Sequence, residues 1–110
     1  MRFTLPWPPS ALNPNARVHW SVKGRSVRRY RVDARLMATM ASGTFCKPSV
    51  GLVFHPPDKR RRDLDNCLAS FKAGLDGIAD ALGVNDSHFR ISMQMGPPVK
   101  LGEVEVTIGE

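Results

Sequence analysis

The chain has 110 residues, 42% of them apolar and 7% aromatic, enough for one domain with a real core and too apolar for a disordered tail. No run approaches the about 20 apolar residues that cross a bilayer, and Pro6 interrupts the N-terminus too early for a signal-peptide core, so a cytoplasmic protein with no membrane partner is expected. The net charge of +6 is unevenly divided: residues 1–62 carry 13 Lys and Arg against Asp33 and Asp58, whereas residues 63–110 carry Lys72, Arg90 and Lys100 against eight acids. A basic half joined to an acidic half suits a phosphate-binding surface beside a metal site; the plainer alternative is a solvated basic face.

Residues 2–5 alternate and stop at Pro6-Trp7-Pro8-Pro9, which predicts a short strand followed by a rigid extended turn. Residues 10–24, with Asn13-Pro14-Asn15 and Lys23-Gly24-Arg25, read as a loop. Ser26 reads as an N-cap, and Val27, Tyr30, Ala34, Met37 and Ala41 recur at helical spacing, predicting an amphipathic helix that ends at Ser42-Gly43. Arg28, Arg31 and Arg35 line another side of it. Residues 49–54 read as a mostly buried strand closed by Pro56-Pro57. Cys46 and Cys67 lack metal-site spacing and are expected as buried small apolar residues.

From residue 64 onward, Leu64, Leu68, Phe71, Leu75, Ile78 and Leu82 form one helical stripe, with Gly83 as the residue that ends it. Gly74 and Gly77 each weaken such a helix by about 1 kcal/mol relative to Ala, so they point to a close helix approach. Asn85-Asp86-Ser87 reads as a turn. Residues 90–95 and 103–108 alternate and, joined through Gly96-Pro97-Pro98, read as a closing antiparallel pair. No repeat or linker divides the chain, so residues 1–110 are expected to form a single domain. The order β-α-β-α-β-β predicts a two-layer α/β (α+β) domain, a small mixed sheet covered by two helices.

The run Lys59-Arg60-Arg61-Arg62-Asp63-Leu64-Asp65-Asn66 carries the chemistry. Lys and Arg attract phosphate backbones, and paired carboxylates hold hard divalent cations through oxygen. Side by side, they are suited to bring a metal to a phosphodiester, which points to a nuclease. Each acid also has a structural alternative: Asp63 as an N-cap, Asp65 as a solvated acid of the first helical turn, Asp86 as a turn former. A straight helix of about 20 residues is ~30 Å long. Asp63 and Asp86 could then meet only through a shorter helix, a folded-back turn or a second subunit. Lys72, two turns beyond Asp65, could contact the scissile phosphate or simply pair with Asp76. His19, His55 and His88 are scattered and read as structural or surface residues; Trp7 and Trp20 read as packing against the proline-rich loop rather than stacking on a base.

The segment Leu5-Pro6-Trp7-Pro8-Pro9-Ser10, the block from Pro57 to Asn66, and Asp86 before a final strand pair together resemble the RusA family of Holliday-junction resolvases, over essentially the whole chain. The resemblance implies a small homodimeric endodeoxyribonuclease, often phage-borne, that needs Mg²⁺ or Mn²⁺ and acts on four-way DNA junctions in recombination and repair. It implies that Asp63, Asp65 and Asp86 bind the metal and that Lys59, Arg60, Arg61 and Arg62 form part of the DNA surface, while the Arg28, Arg31 and Arg35 face of the helix would hold flanking phosphates. Two positions depart from the family pattern. Asn85 stands where the first of two paired acids is usual, and Ala69 where a lysine is usual, which leaves Lys72, one turn on, as the expected substitute. Two rival readings remain at this point. One is a non-catalytic junction-binding protein whose Asp63 and Asp65 only cap a helix. The other is an Asp-x-Asp phosphotransferase or sugar-nucleotide enzyme, which leaves the basic half unexplained.

Overall fold

Phe3 and Leu5 alternate with exposed Arg2 and Thr4, and this two-residue period sets the first strand, β1 (Arg2–Pro6), with one face inward. The computed structural model describes residues 1–41 and 44–109. After β1 come α1 (Trp20–Ala41), β2 (Ser49–His55), α2 (Leu64–Ser70), α3 (Lys72–Leu82), β3 (Arg90–Met95) and β4 (Glu103–Gly109), with single 3₁₀ turns at Ser10–Leu12 and Asp86–His88. The strands form one mixed sheet in the order β1-β4-β2-β3, antiparallel except for the parallel β2–β3 pair. One face, carrying Phe3, Leu5, Val50, Leu52, Phe54, Val104, Val106 and Ile108, packs on Tyr30, Ala34 and Ala38 of α1 and on Phe71 and Ile78. The other face bears Arg2, Glu105 and His55, joined by contacts of 3.1 and 3.8 Å at Glu105. The two-layer α+β architecture is as expected. Among the described residues no helix is long and apolar enough to cross a membrane.

Four local expectations are corrected. First, α1 begins at Trp20 rather than after Ser26, so residues 20–24 are helical and not loop. His19 supplies the start signal: its Nδ1 accepts the Ser21 N–H at 3.1 Å, as an Asn or Ser side chain does at an N-cap, and its carbonyl takes the Val22 and Lys23 amides. The expected end at Ser42-Gly43 lies outside the described residues.

Second, the single stripe from Leu64 to Leu82 is two helices, giving three helices where two were expected. The break is at Phe71 (φ −90°, ψ 0°), whose ring is fully buried and meets Tyr30 and Phe54 edge-on, with centroids 5.9 and 6.1 Å away. Tertiary anchoring of this ring outweighs continuation of the helix. The end at Gly83 is as read, in the left-handed region at φ 67°. Gly77 does permit a close approach: a Cβ there would overlap the Arg31 carbonyl oxygen and lie 2.9 Å from the Ala34 Cβ.

Third, β3 and β4 are not a hairpin, because β2 lies between them. Their connection crosses the end of β2, where Gly96 N–H bonds Phe54 O at 2.9 Å and Val99 N–H bonds Pro56 O at 3.0 Å. Inserted as an interior strand, β2 has both edges hydrogen-bonded and its inward side chains Val50, Leu52 and Phe54 buried, which a terminal β3–β4 hairpin would not provide. Fourth, Cys67 is buried as expected, but Cys46 is exposed.

Candidate metal and nucleic-acid site

Pro56-Pro57 ends β2, and the following turn is organised by Asp58, a residue the sequence reading passed over. Its carboxylate accepts the Arg60 backbone N–H at 2.9 Å, the Arg60 Nε at 3.2–3.3 Å and the Arg62 Nη1 at 2.9 Å. The Arg62 bond first, then those from Arg60, holds the Asp58 carboxyl well below the usual carboxylate range. Two of the four cations are therefore structural as well as electrostatic. Arg62 is the more committed, since its guanidinium also lies 5.7 Å from the centre of the Trp7 ring. Lys59, Arg60 and Arg61 remain exposed. The spacing of an acid two and four residues before two arginines was the available signal for this knot.

Asp63 occupies the N-cap position of α2, yet its side chain makes no capping hydrogen bond. The capping alternative thus accounts for its position and not for its carboxylate. Asp65 lies in the first turn of the same helix, exposed. Beside them opens a cavity of about 560 Å³ between the Trp7-to-Asn13 segment and α2, with Arg60, Arg61, Asp63 and Asn66 in its walls. The structure therefore gathers Asp63, Asn66 and the three arginines of the basic run at one place.

Asp86 is placed by a different device. The chain turns back after Gly83, the Asn85 side chain accepts the Ser87 N–H at 2.9 Å, and Asp86 comes to rest against Lys72 at the opposite end of α3. A folded-back turn was one of three routes by which Asp86 could approach Asp63, and here it carries Asp86 to Lys72. Lys72 also donates to Asp76 at 2.6 Å. The Lys72 ammonium holds the Asp86 carboxyl below its ordinary value, and Asp76 first, then Asp86, raises the lysine. Of the roles weighed for Lys72, the pairing with Asp76 is present, and the bond to Asp86 is an addition that the spacing did not suggest.

Arg28, Arg31 and Arg35 share a helix but not a situation. Arg31 grips Asp80 of α3 through two bonds of 2.7 and 2.9 Å and reaches Asp76 at 4.0 Å, so it ties α1 to α3. Its bond holds Asp80 below the usual carboxylate range. His55 bonds the Pro97 carbonyl through Nδ1 at 2.8 Å, a structural role. Trp7 is half-buried and edge-on to Phe54 at 6.2 Å, whereas Trp20 is 79% exposed, its ring 5.3 Å from that of His19.

Asp63, Asp65 and Asp86 offer the hard oxygen donors that a divalent cation takes. Among the described residues of one chain, however, no group of three or more His, Cys, Asp or Glu side chains is gathered closely enough to hold a metal ion. Asp63 and Asp65 neighbour each other at the start of α2, and Asp86 is engaged with Lys72.

No family model matches the chain. It is 41% identical over 113 residues to an uncharacterized protein of Xylella fastidiosa, covering 96% of this chain and 74% of that one. It is 32% identical over 116 residues to the crossover junction endodeoxyribonuclease RusA of Escherichia coli K12, covering 98% of this chain and 92% of the relative. The corresponding protein of enterobacteria phage 82 is 31% identical over the same shares.

Proposed function

Since this chain belongs to the RusA family of crossover junction endodeoxyribonucleases, we propose that it is a Mg²⁺-dependent, structure-specific endodeoxyribonuclease that resolves four-way DNA junctions by paired nicks. The observation that carries this reading is Asp63: an acid at the N-cap of α2, unused for capping, beside Asp65 and lining the same cavity as Arg60 and Arg61. Such a place brings phosphate to carboxylates.

Mg²⁺ is commonly held by one or two carboxylates with substrate phosphate and water completing its octahedron, so Asp63 and Asp65 can serve as the protein's first contribution to the site. Bound there, the ion supplies polarisation of a phosphate oxygen and a more acidic water. Mn²⁺ suits the same oxygen donors. Lys59 and Arg61 take flanking phosphates, while Arg60 and Arg62 fix the loop that presents them. Lys72 keeps Asp86 ionised and oriented. Asp86, which a single chain does not bring into one cluster with Asp63 and Asp65, is the third acid of this reading, and Arg28 and Arg35 extend the phosphate track along α1.

Symmetric nicking asks for two sites related by a two-fold axis, hence a homodimer. The edge of β3 suits the second copy. It is a border strand exposed along its length, and Ile91, Met93 and Met95 continue the apolar face of the sheet, at 41%, 37% and 37% exposure. Exposed apolar edge strands are surfaces that proteins otherwise protect.

The test is incubation of the purified protein with a synthetic four-way junction and a linear duplex of the same sequence, with Mg²⁺ or with chelator. Paired symmetric nicks in the junction alone, lost in chelator and in Asp65→Asn while junction binding persists, are expected. Junction binding without cleavage by the unaltered protein in Mg²⁺ or Mn²⁺ would instead establish the binding-only reading.

A further inference from the structure

The cavity beside Asp63 is more than a gap for a phosphate. At about 560 Å³ it falls within the range of small-ligand sites, and its walls are chemically mixed in a particular way. One wall is rigid and flat, built from Trp7, Pro8 and Pro9, with the Arg62 guanidinium set over the indole. The facing wall is a single side of α2, where Asp63, Asn66 and Ser70 succeed one another at helical spacing from the N-cap to the last turn. Apolar surface and directed hydrogen-bonding groups therefore look into one space.

The polar groups there still have capacity. Ser70 donates its proton to the Asn66 carbonyl at 2.9 Å, which leaves the hydroxyl oxygen as an acceptor. Asn13, across the cavity, uses its Oδ1 to accept the Asn15 N–H at 2.8 Å, which leaves its amide protons as donors. A phosphate alone has no use for the aromatic wall, and an aliphatic ligand has none for the amides. A nucleobase has two flat faces for the first and a polar edge for the second.

Resting on the reading of the chain as a junction endonuclease, we propose that this cavity receives one unstacked nucleobase of the cut strand, and that the identity of that base sets where the protein cuts. Taking a base out of a duplex costs stacking and pairing, and the cost is least where pairing is already interrupted. The crossover of a four-way junction is such a place. The pocket thus links two selections, branch structure through the ease of unstacking and sequence through Asn13, Asn66 and Ser70. Asp63, which lines the same cavity, stands next to the displaced nucleotide.

The experiment scans 2-aminopurine, one position at a time, through the crossover of a synthetic junction, with chelator present so that the DNA stays whole. On binding the full-length protein, fluorescence at one position next to the nicked phosphate is expected to rise at least threefold. Two variants fill the pocket from opposite walls, Ser70→Leu from α2 and Asn13→Trp from the exposed loop, and circular dichroism verifies that each folds. Both should abolish the rise and, with Mg²⁺, reduce at least tenfold the ratio of cleavage between favoured and disfavoured sequences. No rise at any position of a junction that the protein demonstrably binds, or an unchanged ratio in both folded variants, overturns the pocket. The same scan on single-stranded oligonucleotides separates the two readings. A rise there that both variants abolish supports the pocket even if junctions are neither bound nor cut, an outcome that defeats only the junction assignment. No rise on either form of DNA defeats the pocket.

Discussion

Lys72, the first residue of α3, hydrogen-bonds Asp86, which lies beyond that helix's last residue. The bond places the acid of the last turn at the end of α3 nearest α2. It also sets the charge of that acid, because the ammonium favours the ionised carboxylate and lowers its pKa.

Replacing Lys72 with Met therefore has a signed consequence. In the unaltered protein Asp86 stays ionised to lower pH than an ordinary aspartate, whose pKa is about 4. Its contribution to stability is present above that value and is lost as pH falls through the lower folded value. In Lys72→Met the folded value rises, so the acid limb of the cleavage profile should move to higher pH. The pair is exposed, so the stability change at pH 7 should be at most about 1 kcal/mol. Cleavage rates from pH 4 to 8, with thermal melts on the same samples, test this; an unmoved acid limb would detach Asp86 from the reaction.

Gly77→Ala tests the α1–α3 contact. The added methyl group overlaps the Arg31 carbonyl oxygen and stands 2.9 Å from the Ala34 Cβ, and backbone atoms have little room to yield. Overpacking of this kind costs typically 1–3 kcal/mol, which should exceed the roughly 1 kcal/mol that Ala gains over Gly in helix propensity. Urea unfolding should show a lower midpoint with little change in slope. Equal or greater stability would mean that the two helices separate without loss.

The same glycine shows what was legible in the sequence. Gly77 declared itself because a glycine in a helix has a cost that only a close neighbour explains. The strands declared themselves by their two-residue period, and the fold class followed. The break at Phe71 did not, because both helices carry the same apolar stripe and only Tyr30 and Phe54, far away in the chain, hold the ring between them. The strand order was hidden for a similar reason: β3 and β4 are neighbours in sequence, and the insertion of β2 is a long-range pairing that periodicity does not encode. At the site, the Asp-x-Asp-Asn block was visible as a motif, whereas the capture of Arg60 and Arg62 by Asp58 and the wall opposite α2 emerged only from the folded chain.

That capture divides the basic run into two kinds of residue. Arg61 is exposed and forms no ion pair among the described residues, so Arg61→Ala should weaken DNA binding across all sequences. It should also flatten the slope of log affinity against log salt by about 0.9, the value of one phosphate contact on duplex DNA. Arg62→Ala should differ in kind, because its guanidinium holds Asp58 and lies 5.7 Å from the centre of the Trp7 ring. Here the melting temperature should fall along with the affinity. Salt titrations of binding paired with melts distinguish them, and identical profiles for the two variants would refute the division.

Met93→Asp tests whether the β3 edge serves a second copy. Met93 lies at the middle of the border strand, beside Leu52 in the register and 37% exposed, so a carboxylate there can turn to water in the isolated chain. Across a two-fold contact the same substitution sets two carboxylates near each other in an apolar seam, which is strongly unfavourable. Sedimentation at micromolar concentration should show a dimer for the unaltered protein and a folded monomer for Met93→Asp. Paired nicking should be lost with the dimer. If the variant remains dimeric with symmetric nicking intact, the second copy sits elsewhere, and the exposed apolar run of β3 needs another occupant.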